Sequence, residues 1–255
     1  MTRIAAHRGG TLEYGDSTPQ GFAATAAMAL EQVEFDLHPT SDGAIIVHHD
    51  ATLDRTTDRT GAIAEQTEAD VRAAVINYGA GAHPLTLAEL CAVFRPSAVD
   101  LRCEIKPDAH GLPYANFVPQ VISTLRDQSM LERTTFTSFL LETLEELAPL
   151  TTQPRLWLVS PPVLRQLGIG AVIALAQARS IGEIGVHIDD ADRALKTALE
   201  QAGLVFGCWA AHSVEQMEKA MALEAHVFTT DRPSLAIAVR TRQTKGAPHE
   251  RHQPA

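Results

Sequence analysis

Apolar positions along the chain gather into short runs, and between the runs they recur every three to four residues. The runs are Ile4–Ala6, Val33–Asp36, Val99–Glu104, Thr134–Ser138, Leu156–Val159, Ile184–His187, Val205–Trp209 and Val227–Thr229. Runs of this length read as buried strands, and the periodic segments Thr18–Ala29, Phe117–Asp127, Phe139–Leu147, Ala171–Ala178, Ala191–Gln201 and Val214–Met221 read as amphipathic helices. Strand and helix alternating about eight times is the pattern of a (β/α)8 TIM barrel, with a doubly wound open sheet as the alternative. One domain over 1–240 is expected, followed by a flexible tail over 241–255 that is almost free of apolar residues.

One stretch breaks the alternation. Between Asp36 and Ile45 there are too few residues for a crossover helix, so the apolar run at Ile45–His48 folds back as a hairpin. Asp42-Gly43 is a favoured turn pair, and symmetric pairing about it sets Asp36 opposite His49 and Glu34 opposite Ala51. A slip of one residue would exchange His48 for His49. Strand alternation places Glu34 and Asp36 on one face and Phe35 and Leu37 on the other. The hairpin opens an excursion over about 37–98, between the second and third barrel strands.

Composition narrows the function. Hydrophobic content of 45% with only 5% aromatic residues suits alanine-rich helices laid on a sheet better than an aromatic-rich sandwich. A net charge of −10 lacks the positive footprint that nucleic acid or an anionic membrane needs, so neither is an expected partner, while a local pocket for one phosphate is compatible with it. Cys91, Cys103 and Cys208 are scattered among apolar residues and read as reduced core thiols, not as a metal cluster. The first residues lack the apolar core of a signal peptide, and no run approaches the roughly 18–20 apolar residues of a membrane span, so a cytoplasmic protein is expected. Nothing in the pattern sets the oligomeric state.

Barrel enzymes carry their sites at the carboxyl ends of the strands. Here the first strand ends in His7-Arg8-Gly9-Gly10, the second in Glu34-Phe35-Asp36 and the third in Glu104-Ile105-Lys106. Three carboxylates in one pocket raise one another's pKa unless a cation joins them, and an all-oxygen set favours one hard divalent ion, Mg²⁺ or Ca²⁺. Arg8 and Lys106 offer positive charge suited to a phosphate. His7 and His49 supply a proton acceptor and a proton donor near neutral pH. The set suits hydrolysis of a phosphate ester.

These residues resemble the glycerophosphodiester phosphodiesterase family. The resemblance rests on Ala6-His7-Arg8-Gly9, Glu34-Phe35-Asp36-Leu37, Thr40-Ser41-Asp42-Gly43, Val47-His48-His49-Asp50, Thr52-Leu53-Asp54-Arg55-Thr56-Thr57, Gly61, Pro84-Leu85-Thr86-Leu87, Glu104-Ile105-Lys106, Ser138-Phe139, Trp209 and Thr230-Asp231-Arg232-Pro233. It implies a barrel enzyme that cleaves a small-molecule phosphodiester into a phosphomonoester and an alcohol with a divalent metal. Glu34, Asp36 and Glu104 would be the metal ligands, His7 and His49 the acid and base in either order, and Arg8 and Lys106 the phosphate holders. Trp209 is a candidate wall for an alcohol group, and Asp54 and Arg55 are read as fastening the excursion. A phospholipase-like enzyme that stops at a cyclic phosphate and a non-catalytic barrel are the competing readings.

Two departures stand out. Asp16-Ser17-Thr18 replaces the family's usual Glu-Asn-Thr, and Trp209-Ala210-Ala211-His212 replaces its Trp-Thr-Val-Asn. Both are expected on loops that touch the alcohol portions, which raises a sugar-containing diester as an alternative substrate.

Overall fold

The structure, a computed structural model, describes residues 1–246. Its strands are β1 (Arg3–His7), β2 (Gln32–Pro39), β3 (Ile45–Val47), β4 (Asp100–Ile105), β5 (Thr134–Ser138), β6 (Arg155–Val159), β7 (Glu183–His187), β8 (Val205–Trp209) and β9 (Val227–Thr230). Its helices are α1 (Thr11–Tyr14), α2 (Pro19–Ala26), α3 (Glu68–Arg72), α4 (Leu87–Phe94), α5 (Phe117–Asp127), α6 (Leu141–Leu147), α7 (Pro161–Ala178), α8 (Arg193–Gln201), α9 (Val214–Ala222) and α10 (Pro233–Gly246). Eight strands run parallel in the order β1-β9-β8-β7-β6-β5-β4-β2, and β1 pairs with β2 to close the ring. The chain is therefore a (β/α)8 barrel, and closure rules out the open sheet.

The alternation along each strand sorts side chains between two environments. On β2 and β4 the residues Val33, Phe35, Leu37, Leu101, Cys103 and Ile105 face outward and join the main apolar cluster under the helices. Fully burying each side chain of the Val, Leu, Ile or Phe kind stabilises by ~1.5–3 kcal/mol, so this layer carries most of the fold's cohesion. The inward positions of these two strands, Gln32, Glu34, Asp36, Arg102 and Glu104, are polar. Arg102 spans the barrel interior, its Nε–H donating to Gln32 Oε1 at 3.0 Å and its Nη2–H to Glu183 Oε1 at 3.3 Å, with both charges buried. A buried charge is tolerated when it is paired and hydrogen-bonded in this way.

Strand β3 is antiparallel to β2, as the short spacing predicts, but its register is one residue away from the expected one. Leu37 faces Val47, His38 faces Ile46 and Pro39 faces Ile45. The next step of the ladder is a bond from His48 N–H to Asp36 O at 3.0 Å. The cause is the turn. Thr40 N–H bonds Ala44 O at 2.9 Å, which leaves a three-residue loop with Gly43 at φ 88, and an odd loop shifts the pairing by one. Because β4 occupies one edge of β2 as far as Leu37, β3 takes the edge that β1 leaves after Glu34.

The rest of the excursion is a 3-10 turn at Ile63–Glu65 and α3, clustered on Ile46, Leu53, Ile63, Val71 and Ala74. Its final helix, α4, is the crossover of the barrel itself, with Phe94 edge-on to Phe22 of α2 at 6.3 Å. Helix α10 continues to Gly246, inside the segment expected as a flexible tail from 241; residues 247–255 lie outside the described ones. Among the described residues no helix is long and apolar enough to cross a membrane.

Candidate active site

The mouth of the barrel opens where β1 ends. Arg8, Gly9 and Gly10 all adopt positive φ (49, 75 and 90), which bends the chain sharply away from the strand. A side chain at Gly9 would put its Cβ 3.0 Å from the backbone nitrogen of Phe22, so the close approach of α2 requires glycine there. Arg8 carries a left-handed backbone without that freedom, the kind of strain that gathers at functional sites.

Glu34, Asp36 and Glu104 offer carboxylate oxygens that all lie within 4.8 Å of one another, and all three residues are buried. Glu34 Oε1 makes no hydrogen bond, while both Asp36 oxygens and Glu104 Oε1 are met by cationic side chains. Two cations stand against them: Lys106 Nζ lies 2.9 Å from Asp36 and 2.5 Å from Glu104, and Arg8 Nε lies 3.1 Å from Asp36. Burial pushes the Glu34 carboxyl well up, and the charges of Asp36 and Glu104 push it further. Burial likewise raises Glu104, against the pull of Lys106. Asp36 goes the other way, because Lys106 and Arg8 outweigh its burial. Three buried carboxylates held this close, with Glu34 Oε1 without a hydrogen bond, fit a hard divalent ion.

His7 and His49 share one design. His7 Nδ1 is hydrogen-bonded to Asp231 at 2.5 Å, and its Nε2 lies 3.8 Å from Glu34. His49 Nδ1 is hydrogen-bonded to Asp50, also at 2.5 Å. Each aspartate fixes its ring and leaves Nε2 as the free nitrogen. Asp50 is held in turn by Arg55, whose Nε–H and Nη2–H donate to it at 2.6 and 3.1 Å. Asp231 is oriented by His212, whose Nδ1 accepts from the Asp231 N–H at 3.0 Å. Burial lowers the His49 imidazole, and Arg8 and Lys106 lower it further against the pull of Asp36. Behind it, buried His38 bridges Tyr114 Oη at 2.9 Å and the carbonyl of His49 at 3.0 Å, with burial pulling its pKa down to about 4 so that the ring stays neutral.

The Asp50 clamp has a pH signature. Its burial opposes ionisation, yet the hydrogen bonds from Arg55 and His49 hold its carboxyl below the ordinary 3.8. A depressed carboxyl stabilises the fold above its unfolded pKa, and that contribution is lost as pH falls through the folded value. Because Arg55 is half exposed, the contribution is at most ~1 kcal/mol. Thermal melts of Asp50→Asn and wild type are expected to differ by no more than ~2–4 °C at pH 7 and to converge as pH drops below 3.8. An unchanged gap at low pH would exclude an ionised clamp.

A cavity of about 190 Å³ joins these groups. His7, Arg8, Glu34, His49, Glu104 and Lys106 line it, and Trp209 forms part of its wall, edge-on to Phe139 at 5.7 Å and to His187 at 4.7 Å. Asp36 sits just behind, in contact with Arg8 and Lys106. The structure thus brings together the candidate acid and base, the candidate metal ligands and the candidate phosphate holders, with Trp209 beside them, while Asp54 accepts from Gly61 N–H and Arg55 holds Asp50 and Asp16, fastening the excursion as expected. The route of His49 differs from the expected one: β3 ends at Val47, so His49 reaches the cavity from an irregular segment and not by pairing opposite Asp36. His48 is instead fastened by Thr52 O and Thr56 Oγ1.

The first departure plays another part than expected, and the second reaches the cavity only through Trp209 and Ala210. Asp16 bridges Arg8 at 2.9 Å and Arg55 at 3.3 Å, Ser17 is buried, and Thr18 caps α2 by accepting from Gly21 N–H. None of the three lines the cavity. Ala210 does line it, Ala211 is buried in the core, and His212 serves Asp231. All three cysteines are free and buried, and Cys208, although it borders the cavity, has its thiol pushed up to about 12 by burial, which removes it as a nucleophile.

Comparison with known proteins agrees with this geometry. The chain is 27% identical over 143 residues to a glycerophosphodiester phosphodiesterase of Caldanaerobacter subterraneus subsp. tengcongensis, a match over 54% of this chain and 58% of that one. It is 39% identical over 67 residues to glycerophosphodiester phosphodiesterase 1 of Homo sapiens, or 26% of this chain and 20% of that one. The chain therefore spans little more than half of the first of these curated relatives and a fifth of the second. A crystal structure from Agrobacterium tumefaciens str. C58, whose glycerophosphoryl diester phosphodiesterase name is itself provisional, is 66% identical with a TM-score of 0.95, covering 96% of this chain and 99% of that one. A phosphodiesterase of Oleispira antarctica, solved with its product sn-glycerol-3-phosphate, shares the fold at 18% identity and a TM-score of 0.79, over 94% and 97% of the two chains. The model of the glycerophosphoryl diester phosphodiesterase family matches residues 7–235, and the chain belongs to that family.

Proposed function

We propose that the chain hydrolyses a glycerophosphodiester to a phosphomonoester and an alcohol, with His7 and His49 as the acid and base. The observation that carries this reading is the convergence of two aspartate-held imidazoles, two cations and three buried carboxylates on a single cavity. Glu34, Asp36 and Glu104 would hold one divalent ion, Mg²⁺ or Ca²⁺, and that ion would supply charge to polarise the phosphoryl group and lower the pKa of an attacking hydroxyl. Arg8 and Lys106 hold the phosphate oxygens. One imidazole takes the proton of the attacking hydroxyl at its Nε2, a P–O bond forms, the P–O bond to the leaving alcohol breaks, and the other imidazole protonates the departing oxygen. Asp50 and Asp231 keep each ring turned so that Nε2 is the nitrogen in play.

The case for a sugar-containing diester keeps only part of its basis, since Asp16-Ser17-Thr18, Ala211 and His212 do not border the cavity while Trp209 and Ala210 do. A panel of glycerophosphocholine, glycerophosphoethanolamine and a sugar phosphodiester, with the products identified by ³¹P NMR, tests the reading. Glycerol phosphate and free alcohol from the first two are expected, at rates at least ~10-fold above the sugar diester. A cyclic phosphate as the end product would transfer the attack to a neighbouring hydroxyl of the substrate, and faster turnover of the sugar diester would refute the glycerol assignment.

A further inference from the structure

Two residues beyond Asp36, strand β2 sends one more polar side chain to the same face: His38, which is 1% exposed. Both of its ring nitrogens are engaged, Nε2 at 3.0 Å from the carbonyl oxygen of His49 and Nδ1 at 2.9 Å from Tyr114 Oη. A carbonyl oxygen can only accept, so the ring proton is on Nε2. Nδ1 is then an acceptor, and the Tyr114 hydroxyl donates to it. One carbonyl thus sets the direction of the whole chain, from Tyr114 through His38 to His49.

Tyr114 comes from the loop after β4, and that loop is organised by its own residues. Asp108 accepts from the N–H groups of His110 and Leu112 at 2.8 and 2.9 Å. Across 109–116 every residue is exposed except Tyr114, which lies edge-on to His38 at 5.8 Å and to Phe117 of α5 at 5.6 Å. It is the inward anchor of an otherwise solvent-facing loop. At the other end of the chain of bonds, His49 needs support, because β3 has already ended at Val47. Among the described residues, the bond from His38 is the only hydrogen bond made by the His49 backbone. Asp50 turns the imidazole through Nδ1, while His38 sets where the backbone that carries it lies.

We propose that His38 and Tyr114 are positioning residues for the chemical step: Tyr114 holds the His38 ring, and His38 holds the His49 backbone so that His49 Nε2 meets the reacting oxygen. The inference rests on the acid or base role of His49 proposed above. It adds two residues on which that role depends, neither of which lines the cavity.

Steady-state hydrolysis of glycerophosphocholine by the Mg²⁺-loaded chain, with matched melting curves, tests this in a double-mutant cycle. Tyr114→Phe removes only the hydroxyl and is expected to lower kcat ~5-fold with KM within ~2-fold of wild type. His38→Leu frees the His49 carbonyl and should cost ~20-fold or more, since small displacements of a reacting group are expensive. His38→Gln, whose amide can still donate to that carbonyl, should recover to the Tyr114→Phe level. In a His49→Ala background Tyr114→Phe should cost nothing further, because the ring it places is gone; this comparison stands even if His38→Leu fails to fold. The same loss in both backgrounds, a loss carried by KM, or full kcat in Tyr114→Phe would overturn the positioning role and leave His49 in place as acid or base. Imidazole ¹⁵N NMR gives a reading without turnover: His38 is expected as the Nε2–H tautomer, and an Nδ1–H ring would break the chain of bonds. Absence of turnover by wild type, or a loss under ~5-fold in His49→Ala alone, would instead refute the underlying reading, and the positioning role with it.

Discussion

Replacing His7 or His49 with alanine is expected to lower kcat by at least ~10²-fold, the span over which a positioned acid or base acts. Both rings line the cavity, and each has its Nδ1 taken by an aspartate. The loss should fall on kcat with KM little changed, because the proposed function gives the phosphate to Arg8 and Lys106 and the proton transfers to the rings. Asp231→Asn and Asp50→Asn should give smaller losses of the same kind, since they remove the orientation of a ring and not the ring. Steady-state rates with matched melting curves check the result. A loss under ~5-fold in either histidine variant would remove that residue from the chemistry.

Chelation of divalent ions is expected to reduce turnover by ~10³-fold or more, the scale of several kcal/mol of charge stabilisation, and added Mg²⁺ or Ca²⁺ should restore it. Full activity in EDTA would sink the proposed metal. Stability supplies a second readout. The Glu34 carboxyl is raised above its ordinary 4.5, so the folded chain binds protons more readily than the unfolded one. Metal-free protein should then gain stability as pH falls from neutrality toward 4.5. Glu34→Gln removes one of three crowded charges and should melt higher than wild type in EDTA. With metal in excess the order should reverse, because a ligand bound only by the folded state at about 100 times its Kd adds ~2.7 kcal/mol. An unchanged order in both conditions would take Glu34 out of the metal site.

Much of this was legible in the sequence. The outward-facing apolar positions of β2 and β4 carry the strand signal, and the acids between them break the expected apolar interior, so both the barrel and the acidic triad can be read from one strand's alternation. Helix α4 escaped that reading although its signal is local: Thr86 and Glu89 form a capping box ahead of Leu87-Ala88-Glu89-Leu90. The register of β3 escaped for a different reason, because a three-residue loop and a two-residue loop differ only in how Thr40 and Ala44 pair. The roles of Asp50 and Asp231 lie further from sequence view. Asp50 is next to His49, yet many aspartates flank histidines without holding them, and Asp231 meets His7 only because barrel closure brings together residues 224 positions apart. Arg102 and Glu183 belong to the same class: each looks like an ordinary charged residue until the ring places them face to face.

That long-range bond between His7 and Asp231 ties the steadying of the first ring to the closing of the last seam of the barrel. During synthesis the first reactive ring emerges early, but it has no aspartate to steady it until the ninth strand has docked beside the first. A nascent or clipped polypeptide ending before that point has an open seam between two strands and a loosely held imidazole. Such an unclosed chain is a target for chaperones and proteases.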